Sequence, residues 1–222
     1  MTHSDTSQPG PAVRAGRTPQ AGGTVDFTFM YAAHDAFGRD LARLAAAVAA
    51  GHAGEPAVRA GWATFARQLA VHHTAEDTAL WPVLRAKVTR AGEVAVLDAM
   101  EAEHAQIDPL LAQVGRSLAD GGQDLAGNLG ELGSLLAGHL RHEEDQALPL
   151  VESYLGAKGW AAFGRAVAKI QGLRGVAEFF PWMLDGADRA TRDRVLGLLP
   201  PPARLIHRAI WAPRYARTPR MM

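Results

Sequence analysis

Four apolar stripes with helical spacing run along this chain, and each is interrupted by histidine, twice with a glutamate one turn later. In the first, Phe27, His34, Leu41 and Val48 recur every seven residues, with Met30, Phe37 and Leu44 between them. The second reads Trp62, Phe65, Leu69, His72, Glu76, Ala79, Val83. The third reads Leu97, Met100, His104, Ile107, Leu111, Val114, Leu118. The fourth reads Leu125, Leu129, Leu132, Leu136, His139, Glu143, Gln146, Leu150. Such spacing puts each set on one face of a helix, which must be buried against other helices. The expected helices span about Val25 to Ala50, Val58 to Thr89, Val94 to Leu118, and Leu125 into the 150s. "AGHAGEPA", "RAGE" and "ADGGQD" are the breaks, with Asp124 placed to cap the fourth helix. Short loops between amphipathic helices predict an all-α, up-down-up-down four-helix bundle. Gly127, Gly130 and Gly133 weaken the fourth helix and read as close-packing positions.

The chain also repeats itself. "HHTAEDTALWP" aligns with "HLRHEEDQALP", pairing His72 with His139, Glu76 with Glu143, and Pro82 with Pro149. "MYAAHDAFGRDL" aligns with "MEAEHAQIDPLL", setting His34 over His104. A helical hairpin therefore occurs twice, and two copies imply a site of approximate twofold symmetry.

Residues at i and i+4 share a helix face, so His72/Glu76 and His139/Glu143 each aim an imidazole and a carboxylate at one point. His34 and His104 lie in the other two seams, and all six groups converge on the bundle axis. The bland alternative is a set of hydrogen-bonded core histidines. It is expensive, because a buried polar group without a partner costs on the order of 1–3 kcal/mol and the seams hold almost no Ser, Thr or Asn. A cation removes that cost. The donors are nitrogen and oxygen only, and they exceed one tetrahedral zinc site. Two ions bridged by the glutamates fit better, with iron the first choice and manganese or zinc behind it. Asp77, Glu144 and Asp145 read first as a solvated acidic face and second as groups orienting the imidazoles. The prolines at 82 and 149 are expected to kink their helices, with Trp81 core or cover for the pocket.

Composition closes off other classes. There is no cysteine, which excludes disulfides, thiolate metal sites and cysteine nucleophiles. Residues 1–23 are rich in Pro, Gly, Ser, Thr and Gln and lack an apolar run, so they read as a disordered leader, not a secretory signal. No apolar stretch approaches the roughly 20 residues that span a bilayer, so the expected location is the cytoplasm and membrane contact is not expected. Residues 1–154 carry 11 Lys/Arg against 19 Asp/Glu, and residues 155–222 carry 12 against 4. The basic, aromatic segment 156–222 reads as a helical extension packed on the acidic bundle of residues 24–155. An interfacial helix and a docking surface are the alternatives. Its basic residues follow no nucleic-acid-binding signature.

His34, His72-His73-x-x-Glu76-Asp77 with Trp81-Pro82, Glu103-His104, and His139-x-x-His142-Glu143-Glu144 with Leu148-Pro149 together resemble the hemerythrin family, in its HHE cation-binding branch. The likeness covers about residues 25–155. "GLLPPPARLIHRAIWAPRY" is similar to tails on actinobacterial hemerythrin-domain proteins, a likeness that carries no function. The resemblance implies a non-haem di-iron centre, oxo- or hydroxo-bridged, that meets oxygen, peroxide or nitric oxide. It implies that His34 and His72 hold one iron, His104 and His139 the other, and Glu76 and Glu143 bridge them. The chain also departs from the oxygen carriers. Their third helix has His-x-x-x-His, where this chain has Asp108 followed by Pro109, and their fourth has His-x-x-x-x-Asp, not His139-x-x-x-Glu143. Asp108 is a candidate replacement ligand, with water the alternative. His73 and His142 sit beside the seams and read as outer or exposed groups.

The expectation is a hemerythrin-like protein that binds or processes a small oxidant. A peroxidase, catalase-like or oxidase enzyme is the alternative, as is an iron or oxygen sensor relaying through the tail. No catalytic residue, organic cofactor or oligomeric state is legible.

Overall fold

A computed structural model describes residues 23–120 and 124–221. The expected leader lies outside them except for Gly23, as does the end of "ADGGQD" before Asp124. The described residues are helical, with no strand among them. The bundle is made of α1 (Thr28–Ala49), α2 (Pro56–Ala79), α4 (Ala91–Asp120) and α5 (Leu125–His142). They pack in the ring order α1, α2, α4, α5, with α5 closing against α1. A short α3 (Trp81–Arg85) continues α2, and α6 (Leu148–Tyr154) continues α5.

The two continuations show what the paired prolines do. Proline lacks an N–H, and its ring clashes with the carbonyl four residues back. At Pro82 the chain breaks at Leu80 (φ −114°, ψ −63°) and α3 restarts with Pro82 in its first turn. At Pro149 the helix widens instead. Glu143–Ala147 forms a π-helical turn, and the Leu148 N–H donates to the Glu143 carbonyl five residues back. The wide turn inserts one residue, which corrects the expected seam. Gln146 is exposed, while Ala147, Leu148 and Val151 are buried. In α3 the same kind of shift leaves the expected seam residue Val83 exposed, with Trp81 and Leu84 buried in its place.

The apolar core falls into two clusters. One gathers Phe37, Phe65, Leu69, Ile107, Leu132 and Leu136. The other gathers Met30, Leu80, Trp81, Leu97, Met100 and Ala147. Along the chain, His72 and His73, His104, and Glu143 each fall between residues of one cluster and residues of the other.

Two expectations at the start of α5 are not met. Asp124 stands at the N-cap with a left-handed backbone (φ 68°), and its side chain makes no capping bond. Nor are Gly130 and Gly133 close-packing positions, since a Cβ at either would meet nothing within 4 Å. Their flexibility is therefore a cost with no packing return. Gly130→Ala on this exposed turn is expected to raise stability by about 0.5–1 kcal/mol, read as a higher urea midpoint at unchanged slope.

The C-terminal segment packs on the bundle. α7 (Gly156–Met183) is broken at Gly172, whose left-handed backbone (φ 63°) suits glycine. It is followed by α8 (Arg189–Leu198), α9 (Pro201–Ile206), a π-helical turn (His207–Trp211) and α10 (Ala212–Tyr215). Trp182, Met183, Leu184, Val195 and Met221 all join the Phe37 cluster. A Cβ at Gly61 would lie 2.6 Å from Met221 Cγ, so the end of the described chain needs that glycine. No described helix is long and apolar enough to cross a membrane.

Candidate metal centre

The layer between the clusters is drawn from four helices and the π-helical turn. α1 supplies His34, and α2 supplies His72, His73 and Glu76. α4 supplies His104, α5 supplies His139, and Glu143 opens the π-helical turn. All are buried except His72, whose side chain is 10% exposed. Their donor atoms form three groups within 4.8 Å: His34, His72 and Glu143; His73, His104 and His139; and Glu76, His139 and Glu143. Glu143 and His139 each belong to two groups. Glu76 reaches across the layer, with Oε1 3.3 Å from His72 Nε2 and Oε2 3.5 Å from His104 Nε2.

Seven buried donor atoms of this layer lack a hydrogen-bond partner: Nε2 of His34, His72 and His73, and both oxygens of Glu76 and of Glu143. His104 Nε2 and His139 Nε2 approach to 3.1 Å, so each nitrogen's main polar neighbour is the other. Each unpartnered group costs on the order of 1–3 kcal/mol, and close approaches such as His34 Nε2 to Glu143 Oε2 at 3.2 Å offset only part of that. Five imidazole nitrogens and four carboxylate oxygens aimed at one another make groups that could hold cations.

The outer nitrogens are all accounted for on four of the five imidazoles. Nδ1–H of His34 donates to Glu144 (2.8 Å) and that of His104 to Asp77 (2.8 Å). His73 donates to Asp108 (2.9 Å) and His139 to Glu103 (2.8 Å). A carboxylate on Nδ1 sets the tautomer and turns the Nε2 lone pair inward. Glu144 is therefore buried against His34, Asp77 bonds His104 from a partly solvated position, and Asp145 is exposed. Glu103 also accepts from the half-buried His142 (2.7 Å).

Burial and mutual proximity split the protonation states. Burial holds the His72 imidazole well below its ordinary range, reinforced by the nearby His34 and His73. Burial, with His73 and His139, takes His104 down to about 2. Burial also lowers His34, but the negative charges of Glu143, 3.2 Å from Nε2, and of Glu144 outweigh it and raise the group to about 9. Glu76 is pushed well up by burial and by Glu143. Burial opposes ionisation of Glu143, yet His34 holds it down. His72 and His104 are thus held neutral, while His34 keeps its proton beside Glu143 and the buried Glu76 carries another.

The structure brings together six of the seven expected residues: His34, His72, Glu76, His104, His139 and Glu143. Asp108 stands apart from them. Its side chain is 57% exposed, and its carboxylate stops at His73 Nδ1, outside every donor group. Aspartate is too short to pass the His73 ring. His73 is in turn the residue the sequence reading missed: it is 2% exposed and stacks on His104 with ring centroids 3.9 Å apart. A signal was available. Phe65, Leu69, His73, Glu76 and Leu80 also have helical spacing, and this stripe is more deeply buried than the one through His72, Ala79 and Val83.

A sequence model of the hemerythrin HHE cation binding domain matches residues 25–151. The chain belongs to the hemerythrin family. A search of curated proteins found no match, and neither did one of solved structures. In this hemerythrin chain the cation-binding region and the buried histidine–glutamate layer coincide. On the side where Asp108 falls away, His73 stands beside His104 and His139.

Proposed function

We propose that this hemerythrin-family bundle holds two iron ions and uses them to bind or process a small oxidant such as oxygen or peroxide. The observation that carries this reading is the set of seven unpartnered donor atoms, backed by carboxylates on the outer nitrogens. His34 and His72 serve one position, and His73, His104 and His139 serve the other, with Glu76 and Glu143 shared between them. An all-nitrogen-and-oxygen donor set suits iron or manganese over structural zinc. Bound iron supplies the electron-transfer chemistry that no side chain here possesses. The residues do the rest. Glu144, Asp108, Asp77 and Glu103 hold the imidazoles in one tautomer. Phe37, Leu69 and Leu80, all essentially unexposed, keep bulk water out. The His34/His72 position has one imidazole fewer, so an exchangeable small ligand belongs there.

Metal analysis of purified, iron-loaded protein tests this, together with an absorption spectrum before and after peroxide. About two irons per chain and an oxo-bridge band that responds to peroxide are expected. His72→Ala and His73→Ala should each deplete a different position, leaving about one iron or fewer. Full occupancy in either variant overturns the assignment, and a wild-type chain that stays metal-free after loading overturns the reading.

A further inference from the structure

Small residues face one another where α2 meets α4. Ala66 and Ala70 lie opposite Ala112 and Gly115, and a cavity of about 450 Å³ opens between the helices. That volume lies within the roughly 300–1,000 Å³ of small-molecule sites. One end is closed by the Trp62 indole, and a Cβ at Gly115 would sit only 3.2 Å from its Nε1. The other end is lined by His73, Asp77 and Asp108. These two carboxylates bond His104 and His73 through Oδ1 alone, and their side chains are 41% and 57% exposed. No lysine or arginine is among the lining residues. The cavity is thus apolar and narrow at one end and anionic at the other, separated from the metal centre by the His73 ring.

We propose that this cavity binds a small primary amine with a flat apolar body, its ammonium held between Asp77 and Asp108 and its body lying along the alanines toward Trp62. Two carboxylates with no competing cation recognise the ammonium, while the alanine walls and the indole take an aromatic or short alkyl group. The inference goes beyond the metal reading and does not depend on it, because every group involved is in place without metal.

The test titrates the metal-free full-length chain with 2-phenylethylamine, 2-phenylethanol and phenylacetate, followed by calorimetry and by amide shifts at Ala112 and Gly115. Metal-free protein removes direct amine coordination as a cause. The amine should bind at least about tenfold more tightly than the acid, with the alcohol between them. Ala112→Trp, at an exposed helical position, should weaken the amine at least about tenfold while iron content and melting temperature stay at the wild-type level. Ala70→Trp serves as a second block should the first variant fold poorly. Equal binding of the three probes overturns the proposal, as does amine binding undiminished in a well-folded blocked variant or no binding at about 10 mM. A chain that never loads iron yet binds the amine selectively would sink the metal reading and leave this one standing.

Discussion

Glu76→Met is expected to melt above the wild-type chain without metal and below it with metal. Glu76 is fully buried, neither carboxyl oxygen has a hydrogen-bond partner, and burial with Glu143 keeps it protonated. Methionine fills a similar volume without the desolvation cost, which is worth about 1–3 kcal/mol in the metal-free state. At roughly 2–4 °C per kcal/mol for a chain of this size, the metal-free variant gains several degrees. With metal the order reverses. Ligand at a thousandfold excess over its dissociation constant stabilises the wild type by about 4 kcal/mol. The variant forgoes most of that, because Glu76 is the residue whose two oxygens reach both His72 and His104. Calorimetric melts of both proteins, with and without anaerobic iron(II), check the crossing. A variant that is less stable in both states would make Glu76 an ordinary structural residue.

Trp182→Ala is expected to cost about 3–5 kcal/mol, a fall of roughly 6–20 °C in melting temperature. Trp182 belongs to the C-terminal segment, yet it is 1% exposed and packs on Phe37 with ring centroids 5.2 Å apart. Its indole Nε1–H donates to the buried Asp40 carboxylate at 2.7 Å. Arg39 donates to the Asp185 carbonyl, and Arg43 pairs with the Asp185 carboxylate at 2.8 Å, closing the joint from the rim. Phe37 in turn lies 5.3 Å from the His72 ring, so the extension packs behind the side chain that abuts this imidazole. Trp182→Phe keeps most of the volume and loses the donor, and about 1–3 kcal/mol is expected. Denaturant melts distinguish the cases. Losses under about 0.5 kcal/mol for both variants would mean that the extension does not share the bundle core.

How far the chain could be read in advance follows from how local each feature is. Helical spacing is a property of neighbouring residues, and it was enough for the bundle and for placing six polar side chains in its buried layer. The paired "HHTAEDTALWP" and "HLRHEEDQALP" carried the twofold pattern in the same way. Register across a defect is not local. Whether Pro149 would break the helix or widen it into a π-helical turn depends on what its flanks pack against, and only the tertiary structure decided that Ala147, Leu148 and Glu144 turn inward where Gln146 does not. The choice between His72 and His73 was of the same kind. Adjacent helical positions point about 100° apart, and a wide layer in a four-helix bundle admits both. Asp77, Glu103, Asp108 and Glu144 look alike in a sequence, because a carboxylate on a helix surface is ordinary. Their role exists only where a neighbouring helix brings an imidazole Nδ1 within 3 Å. Side-chain spacing along one helix is set by the chain's own geometry, whereas contacts between helices are set by how whole faces fit, and no single segment contains that information.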